Sequence, residues 1–350
     1  MNGISTLDLV LIQRHILGLE RFDSPYKVIA ADVDNNGTIN GIDLVTLRKL
    51  ILGIISELPN DQKSWRFPTA NQSFINDAAP FPFSEVIHVH NFSEDHVDQN
   101  FVAVKVGDLN SDVQLSLTGD DDTTNRSAGL NLQVEDMGLM AGTTVEIPVT
   151  ATNMENIAGF QTTMSFNSDM MTFAGVSAEG LEVSEGNLGL LNVADGYITV
   201  SWNKMEGVTV SDNRPLFTLS FDVKEAGNLS EQLFLSSALT KSEAYDGNLQ
   251  KLDLTLDYKG ADLSDFVLYQ NIPNPFADNT EIRFNLPAAA AVTFSVYDVN
   301  GRVILNRTSD YEGGSHAIML NDSELNATGV MYYKLETPYG TASRKMIQIR

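Results

Sequence analysis

The chain contains no cysteine. That excludes a disulfide scaffold, thiol catalysis and any thiolate-held metal. Basic residues are scarce: 22 Lys and Arg stand against 46 Asp and Glu, a formal net charge of -24. So acidic a balance disfavours nucleic acid or an anionic membrane surface as partner. No apolar run reaches the roughly 20 residues of a membrane-spanning helix. There is no Gly-x-Ser-x-Gly elbow and no phosphate-binding loop. Carboxylates are plentiful enough that a glycosidase pair is not excluded by counting. A signal peptide is also missing, and Met1-Asn2-Gly3 already reads as the inside of a loop. The expectation is therefore the carboxy-terminal part of a longer reading frame. What is present is ordinary for a packed protein: 43% apolar over 350 residues, enough for two or three domains.

The most informative stretch runs from Asp32 to Asp43, Asp-Val-Asp-Asn-Asn-Gly-Thr-Ile-Asn-Gly-Ile-Asp. It carries side-chain oxygens at positions 1, 3, 5, 9 and 12 and glycine at 6. A hard cation takes six to eight oxygens at about 2.3–2.6 Å, and an EF-hand loop supplies them at this spacing. Asp32, Asp34 and Asn36 would give side-chain oxygens, Thr38 its carbonyl, Asn40 an oxygen directly or through water, and Asp43 the closing carboxylate. Calcium is the expected cofactor; an Asx-rich surface loop is the alternative. The stretch is half of a repeat: Asp8-Leu9-Val10 matches Asp43-Leu44-Val45, and Ile16-Leu17-Gly18 matches Ile51-Leu52-Gly53. Apolar residues follow each Asp at helical spacing (Leu9, Ile12, Ile16, Leu17; Leu44, Leu47, Leu50, Ile51), and glycine stops each helix. Two loop–helix units are predicted, each covering the other's apolar face. The first loop has lost its beginning, and only Ser5 and Asp8 remain as weaker ligands.

Two such loops, each followed by a helix ending in Ile-Leu-Gly, resemble a type I dockerin over residues 1–58. The resemblance implies a calcium-loaded helix pair that docks on cohesin domains. The docking residues it implies are Thr6, Leu7, Gln13 and Arg14 in the first unit and Gly41, Ile42, Arg48 and Lys49 in the second. Gly41 and Gln13 depart from the commonest pattern. Arg48 and Lys49 also suit a solvated helix end, where cations are favoured anyway.

Residues 59–118 are read as an extended segment accompanying the helix pair. Glu85 to His90 and Phe101 to Val106 are strand candidates. His88 and His90 would share a face near His96, a pattern better read as polar surface than as a zinc site. Asp108-Leu109-Asn110-Ser111-Asp112 echoes the start of a calcium loop but, with no helix after it, reads as a turn. Residues 119–127, with Asp120-Asp121-Asp122-Thr123-Thr124, are the best linker.

Residues 128–258 alternate with period two: Val145, Ile147, Val149; Phe160, Thr162, Met164, Phe166; Ile198, Val200, Trp202; Phe217, Leu219, Phe221, Val223; Leu252, Leu254, Leu256, Tyr258. Gly, Asn and Asp turns separate them, so an antiparallel sandwich is predicted. The order Ile157-Ala158-Gly159-Phe160-Gln161, Met171-Thr172-Phe173, Ser201-Trp202, Leu216-Phe217-Thr218-Leu219 resembles a cohesin, which implies a nine-stranded jelly roll that receives dockerins. Tyr197 and Trp202 are the aromatic pair that could stack on sugar. They fall on opposite faces, and Trp202 is expected in the core.

Residues 264–350 form a second β unit, opened by Asn271-Ile272-Pro273-Asn274-Pro275-Phe276, with a hairpin turn at Asn300-Gly301. Together with Tyr297-Asp298-Val299-Asn300-Gly301-Arg302, Gly329-x-x-Tyr332 and Lys345-Met346, these marks resemble the type A carboxy-terminal sorting domain of the type IX secretion system. The resemblance implies an Ig-like sandwich that directs export across the outer membrane and is usually cleaved. The product would be extracellular or attached to the outer-membrane surface.

The expected fold is thus mostly β with a small N-terminal α unit: an EF-hand-like helix pair, a jelly-roll sandwich and a C-terminal Ig-like sandwich. The expected function is a non-catalytic scaffold or adhesion module of a secreted bacterial protein. Its partners would be cohesin- or dockerin-bearing proteins, itself included, and the type IX machinery, in a setting of extracellular polysaccharide degradation. A carbohydrate-binding sandwich of an enzyme lying before Met1 is the alternative.

Overall fold

The computed structural model describes residues 2–89, 99–114, 129–260, 266–271, 274–277, 279–325 and 327–349. The predicted helices are α1 (Thr6–Ile16) and α3 (Gly41–Ile51), and a short α2 (Pro25–Ala31) lies between them. The sequence reading missed α2: seven residues are too few to show a helical period, although Ser24 caps it and Pro25 opens it. Each long helix starts with a capping box, Ser5 with Asp8 and Asn40 with Asp43. Leu9 and Ile12 of α1 meet Leu47, Leu50 and Ile51 of α3 in one apolar core. Leu17 does not join it; it lies one residue past α1 and is exposed.

Val104 and Leu109 belong to the same core, with Phe74, Phe81 and Phe83 packed around it. The segment after α3 is therefore part of the helical unit. Among the described residues the ladder there is β1 (Trp65–Arg66) on β2 (Val104–Lys105), with one further bridge between Thr69 and Phe101. Of the stretch from Glu85 to His90, residues 85–89 are described and contain no strand. Glu85 is instead clamped locally: its carboxylate takes Arg66 Nε at 3.0 Å and Nη2 at 3.1 Å, and the Phe67 N–H at 2.6 Å. His90, His96 and the predicted linker lie outside the described residues.

The sandwich contains β3 (Leu130–Glu135), β4 (Gly138–Leu139), β5 (Thr144–Thr152), β6 (Ile157–Phe166), β7 (Met171–Ala178), β8 (Leu188–Gly189), β9 (Tyr197–Val208), β10 (Phe217–Val223), β11 (Gly227–Asn228), β12 (Leu233–Ser236), β13 (Glu243–Asp246) and β14 (Lys251–Lys259). The main strand path runs β7-β10-β5-β3-β14-β13-β6-β9-β8, with β12 on β6 and β4 paired apart with β11. β14 joins β3 in parallel; the other pairings are antiparallel. Phe160 stacks between Trp202 and Phe217, with centroids 5.6 and 6.5 Å away. Trp202 is in the core as expected, but Tyr197 is buried too, so neither ring of the suggested sugar-stacking pair is exposed.

The last unit has two sheets. One is β15 (Val267–Leu268), β16 (Asn279–Leu286) and β19 (Gly314–Asn321). The other runs β18 (Val303–Tyr311), β17 (Ala290–Asp298), β20 (Gly329–Thr337) and β21 (Gly340–Gln348). β18 escaped the sequence reading because its residues are mostly polar and exposed. Its opening is pinned to its end: Asn274 accepts the Ile347 N–H at 2.8 Å, and buried Phe276 exchanges backbone bonds with Ile347 and Ile349. Asn271 and Met346 are buried, while Tyr332 and Lys345 are exposed. Gly301 (φ 80°) and Gly329 (φ 98°) hold left-handed turns, and Arg302 pairs with Asp298 at 3.1 Å. Pro273 lies outside the described residues.

Candidate calcium loops and docking face

The contiguous loop converges as its spacing predicts. One carboxylate oxygen from each of Asp32, Asp34 and Asp43 lies within 4.8 Å of the others. Asp43 closes the ring: its Oδ1 accepts the Val33 and Asp34 N–H groups at 2.8 and 3.2 Å, and its Oδ2 accepts Asn40 N–H at 2.8 Å. Asp32 accepts Asn36 N–H at 2.9 Å and Gly37 N–H at 3.0 Å. Asn36 reaches Asp34 through its amide at 2.7 Å. Asn40 caps α3 with its side-chain oxygen, which accepts the Ile42 N–H at 2.8 Å. Burial pushes the Asp43 carboxyl up to about 6, with Asp34 adding repulsion. A bound cation would reverse both effects.

The same backbone hydrogen bonds recur around Asp8, assembled from two distant stretches, but among the described residues only Asp32, Asp34 and Asp43 bring three carboxylate oxygens within 4.8 Å of one another. Asp8 Oδ2 accepts Ser5 N–H at 2.8 Å, as Asp43 does from Asn40. Asp8 Oδ1 accepts Leu109 N–H at 2.7 Å, the place Val33 holds in the other loop. Asp108 then accepts the N–H groups of Asp112 at 3.3 Å and Val113 at 3.2 Å, matching Asp32 with Asn36 and Gly37. Ser111 (φ 61°) and Asn35 (φ 58°) occupy the same left-handed position. The two halves are stitched by Asn2, which accepts Gln114 N–H at 2.9 Å and donates to Gln114 O at 2.5 Å. Gly3 passes so close that a Cβ there would meet Val113 Cβ at 2.6 Å. Residues 108–113 are therefore the beginning that the first loop lacks, not the free turn the sequence suggested. The signal was the Asp-x-Asn-x-Asp spacing; the missing glycine and missing helix hid it. Burial pushes Asp8 up to about 8, with Asp108 and Asp112 adding repulsion.

The second site is a face. The helix pair lies against β6 and β9. Thr6 N–H, an orphan at the start of α1, donates to Gln161 Oε1 at 2.6 Å, and Thr6 Oγ1 shares a bond with Ser201 Oγ at 2.7 Å. At the far end of α3, the carbonyls of Ile51 and Leu52 accept hydroxyls from Thr240 at 2.6 Å and Thr199 at 2.7 Å. Between them, Asn203 accepts Arg48 Nη2 at 2.6 Å and donates to Gln13 Oε1 at 3.1 Å. Arg14 reaches the carbonyl of Gly247 at 3.0 Å. A Cβ on Gly189 would collide with the Leu52 carbonyl.

Of the expected docking residues, Thr6, Gln13, Arg14 and Arg48 bond to this face, and Leu7 is buried. Gly41, Ile42 and Lys49 are exposed. The receiving residues Gln161, Thr199, Ser201, Asn203 and Thr240 were not foreseen. The available signal was that the polar positions of β6 and β9 facing the helices, Gln161, Thr163, Ser165, Thr199, Ser201 and Asn203, carry amides and hydroxyls but no charge, whereas a solvated face usually does.

Three family models match this chain, in order: the Dockerin type I domain over residues 2–52, the Cohesin domain over 130–257 and the Secretion system C-terminal sorting domain over 271–350. These are a dockerin, a cohesin and a sorting domain in series. A type I cohesin–dockerin complex from Clostridium thermocellum aligns at 18% identity, covering 39% of this chain and 94% of that one, with a TM-score of 0.30. The sixth cohesin of scaffoldin B from Acetivibrio cellulolyticus, solved with a dockerin, aligns at 18% identity over 37% and 94%, TM-score 0.31. A non-cellulosomal cohesin from Archaeoglobus fulgidus aligns at 17% over 37% and 86%, TM-score 0.26. No curated protein matches the chain.

Proposed function

We propose that this chain is a non-catalytic adhesion module, exported through its sorting domain, in which calcium orders the dockerin and the ordered helices hold a cohesin face. The observation that supports it best is the set of bonds from Thr6, Gln13 and Arg48 to Gln161, Ser201 and Asn203. The donor set at Asp32, Asp34, Asn36, Thr38, Asn40 and Asp43 is all oxygen, which suits a hard cation. Asp108, Asn110 and Asp112 with Ser5 and Asp8 offer a second all-oxygen set, less converged than the first.

Calcium supplies the charge that lets several carboxylates converge. The chain's own residues do the rest. Asp43 and Asp8 tie each loop's beginning to its helix start, so each loop sets where its helix begins. Because the unfolded chain has no such site, coordination contributes directly to folding. Placement of α1 then aims Thr6 at the sheet. By the sorting-domain match, the product is secreted by the type IX route and sits outside the cell or on its surface. The tie to polysaccharide degradation belongs to the same proposal; a sugar-stacking platform at Tyr197 and Trp202 has no support, since both rings are buried.

Calorimetry with calcium, with circular dichroism alongside, tests the reading. Two bound ions and a loss of helicity with chelator are expected. Absence of calcium binding, or helicity unchanged by chelator, would refute it.

A further inference from the structure

The cohesin face is covered by the dockerin of its own chain. The bonds across it include Thr6 to Gln161 and Ser201, Arg48 and Gln13 to Asn203, Arg14 to the carbonyl of Gly247, and the carbonyls of Ile51 and Leu52 to Thr240 and Thr199. The contact is also sealed. Thr6, Gln161, Thr199 and Ser201 are all buried, as is Thr163 on the same strand face. While it stands, the same face cannot take a dockerin from elsewhere, and Thr6 and Arg48 cannot reach another cohesin.

We propose that the monomer is closed on itself through this contact, and that the partner which opens it is a second copy of this chain, the two exchanging dockerins reciprocally. The proposal rests on the dockerin–cohesin reading above. An exchanged pair rebuilds the same bonds with none lost, so its cost is only that of bringing two molecules together. A domain tethered to its own receptor by a short linker has an effective concentration in the millimolar range. Closure therefore dominates at micromolar protein, and exchange needs either a crowded surface or a moment of release. Calcium removal supplies the release, because it loosens the loop that positions Thr6. The charge of -24 per chain opposes pairing of copies, so salt favours the exchanged form.

The absence of native cysteine makes a direct test available. Thr6 Oγ1 and Ser201 Oγ lie 2.7 Å apart, so a full-length Thr6→Cys, Ser201→Cys double variant reports the contact by disulfide formation with oxidised glutathione. At micromolar protein with calcium, an intrachain disulfide in a monomer is expected on non-reducing gels. Interchain species under those conditions would overturn closure while leaving the dockerin–cohesin reading intact. No disulfide of either kind would mean that the reading itself has failed. The exchange is tested on the unmodified chain by light scattering: chelation at high concentration followed by calcium should yield dimers that persist on dilution, more of them at high salt. A monomer throughout that cycle would overturn the exchange.

Discussion

The two loop–helix units of the dockerin reach one pattern of backbone hydrogen bonds by different routes. In the second, Val33 donates to Asp43 from ten positions away; in the first, Leu109 donates to Asp8 from 101 positions away. Closing the longer span costs about 2 kcal/mol more in chain entropy. That difference is met by the core between, where Val104, Val106 and Leu109 are buried. The second unit can therefore form locally, while the first exists only once Val104, Val106 and Leu109 have packed into the core. The units also divide the work: the first presents Thr6, Gln13 and Arg14 to the sheet, and the second leaves Gly41, Ile42 and Lys49 exposed and adds only Arg48 and the end of its helix.

Asp43→Ala should have the largest effect. It removes a closing ligand, the Asp half of the capping box of α3 and a carboxylate that three backbone donors share, so calcium-dependent helicity should be largely lost by circular dichroism. Asp108→Ala should spare the contiguous loop and lower the calcium stoichiometry from two to one by calorimetry; if two ions still bind, the split loop is not a site. The calcium-free protein should then separate the units by pH. Asp8 and Asp43 sit at about 8 and about 6, above their ordinary value, so the folded state holds more protons than the unfolded one over those ranges. Stability without calcium should fall as pH rises from about 4, with the part between about 6 and 8 shared by Asp8 and by Glu281 of the C-terminal unit, which burial also pushes up to about 8. Melting curves with chelator on Asp8→Asn should show a smaller fall over that upper range, the remainder belonging to Glu281. Smaller again, Arg48→Ala should weaken docking by about 1–3 kcal/mol, seen as a lower melting temperature with calcium. Lys49→Ala should change nothing measurable, and a Lys49 effect as large as that of Arg48 would reverse the orientation assigned to α3.

Much of this was legible in the sequence because it is local. Loop spacing, capping residues and period two are properties of neighbours, and they placed α1, α3, the contiguous loop and most sandwich strands. What escaped was carried by distance or by polar residues. The split loop depends on a bond between Asp8 and Leu109, which no local pattern records. β18 reads as solvent-facing because it is. The receiving face is built from Gln161, Thr199 and Ser201, whose burial under the helices no local pattern records. The stretch from Glu85 to His90 alternates as a strand should, yet a bidentate pair with Arg66 holds Glu85 outside any ladder.

One feature of α3 reaches into kinetics. The carbonyls at a helix end are ordinarily held by water and come loose within a microsecond or so as the last turn frays. Here those of Ile51 and Leu52 are held by Thr240 and Thr199 of the sheet. This turn can therefore fray only by giving up its bonds to the sheet, so seating on the sheet should slow the breathing of the end of α3.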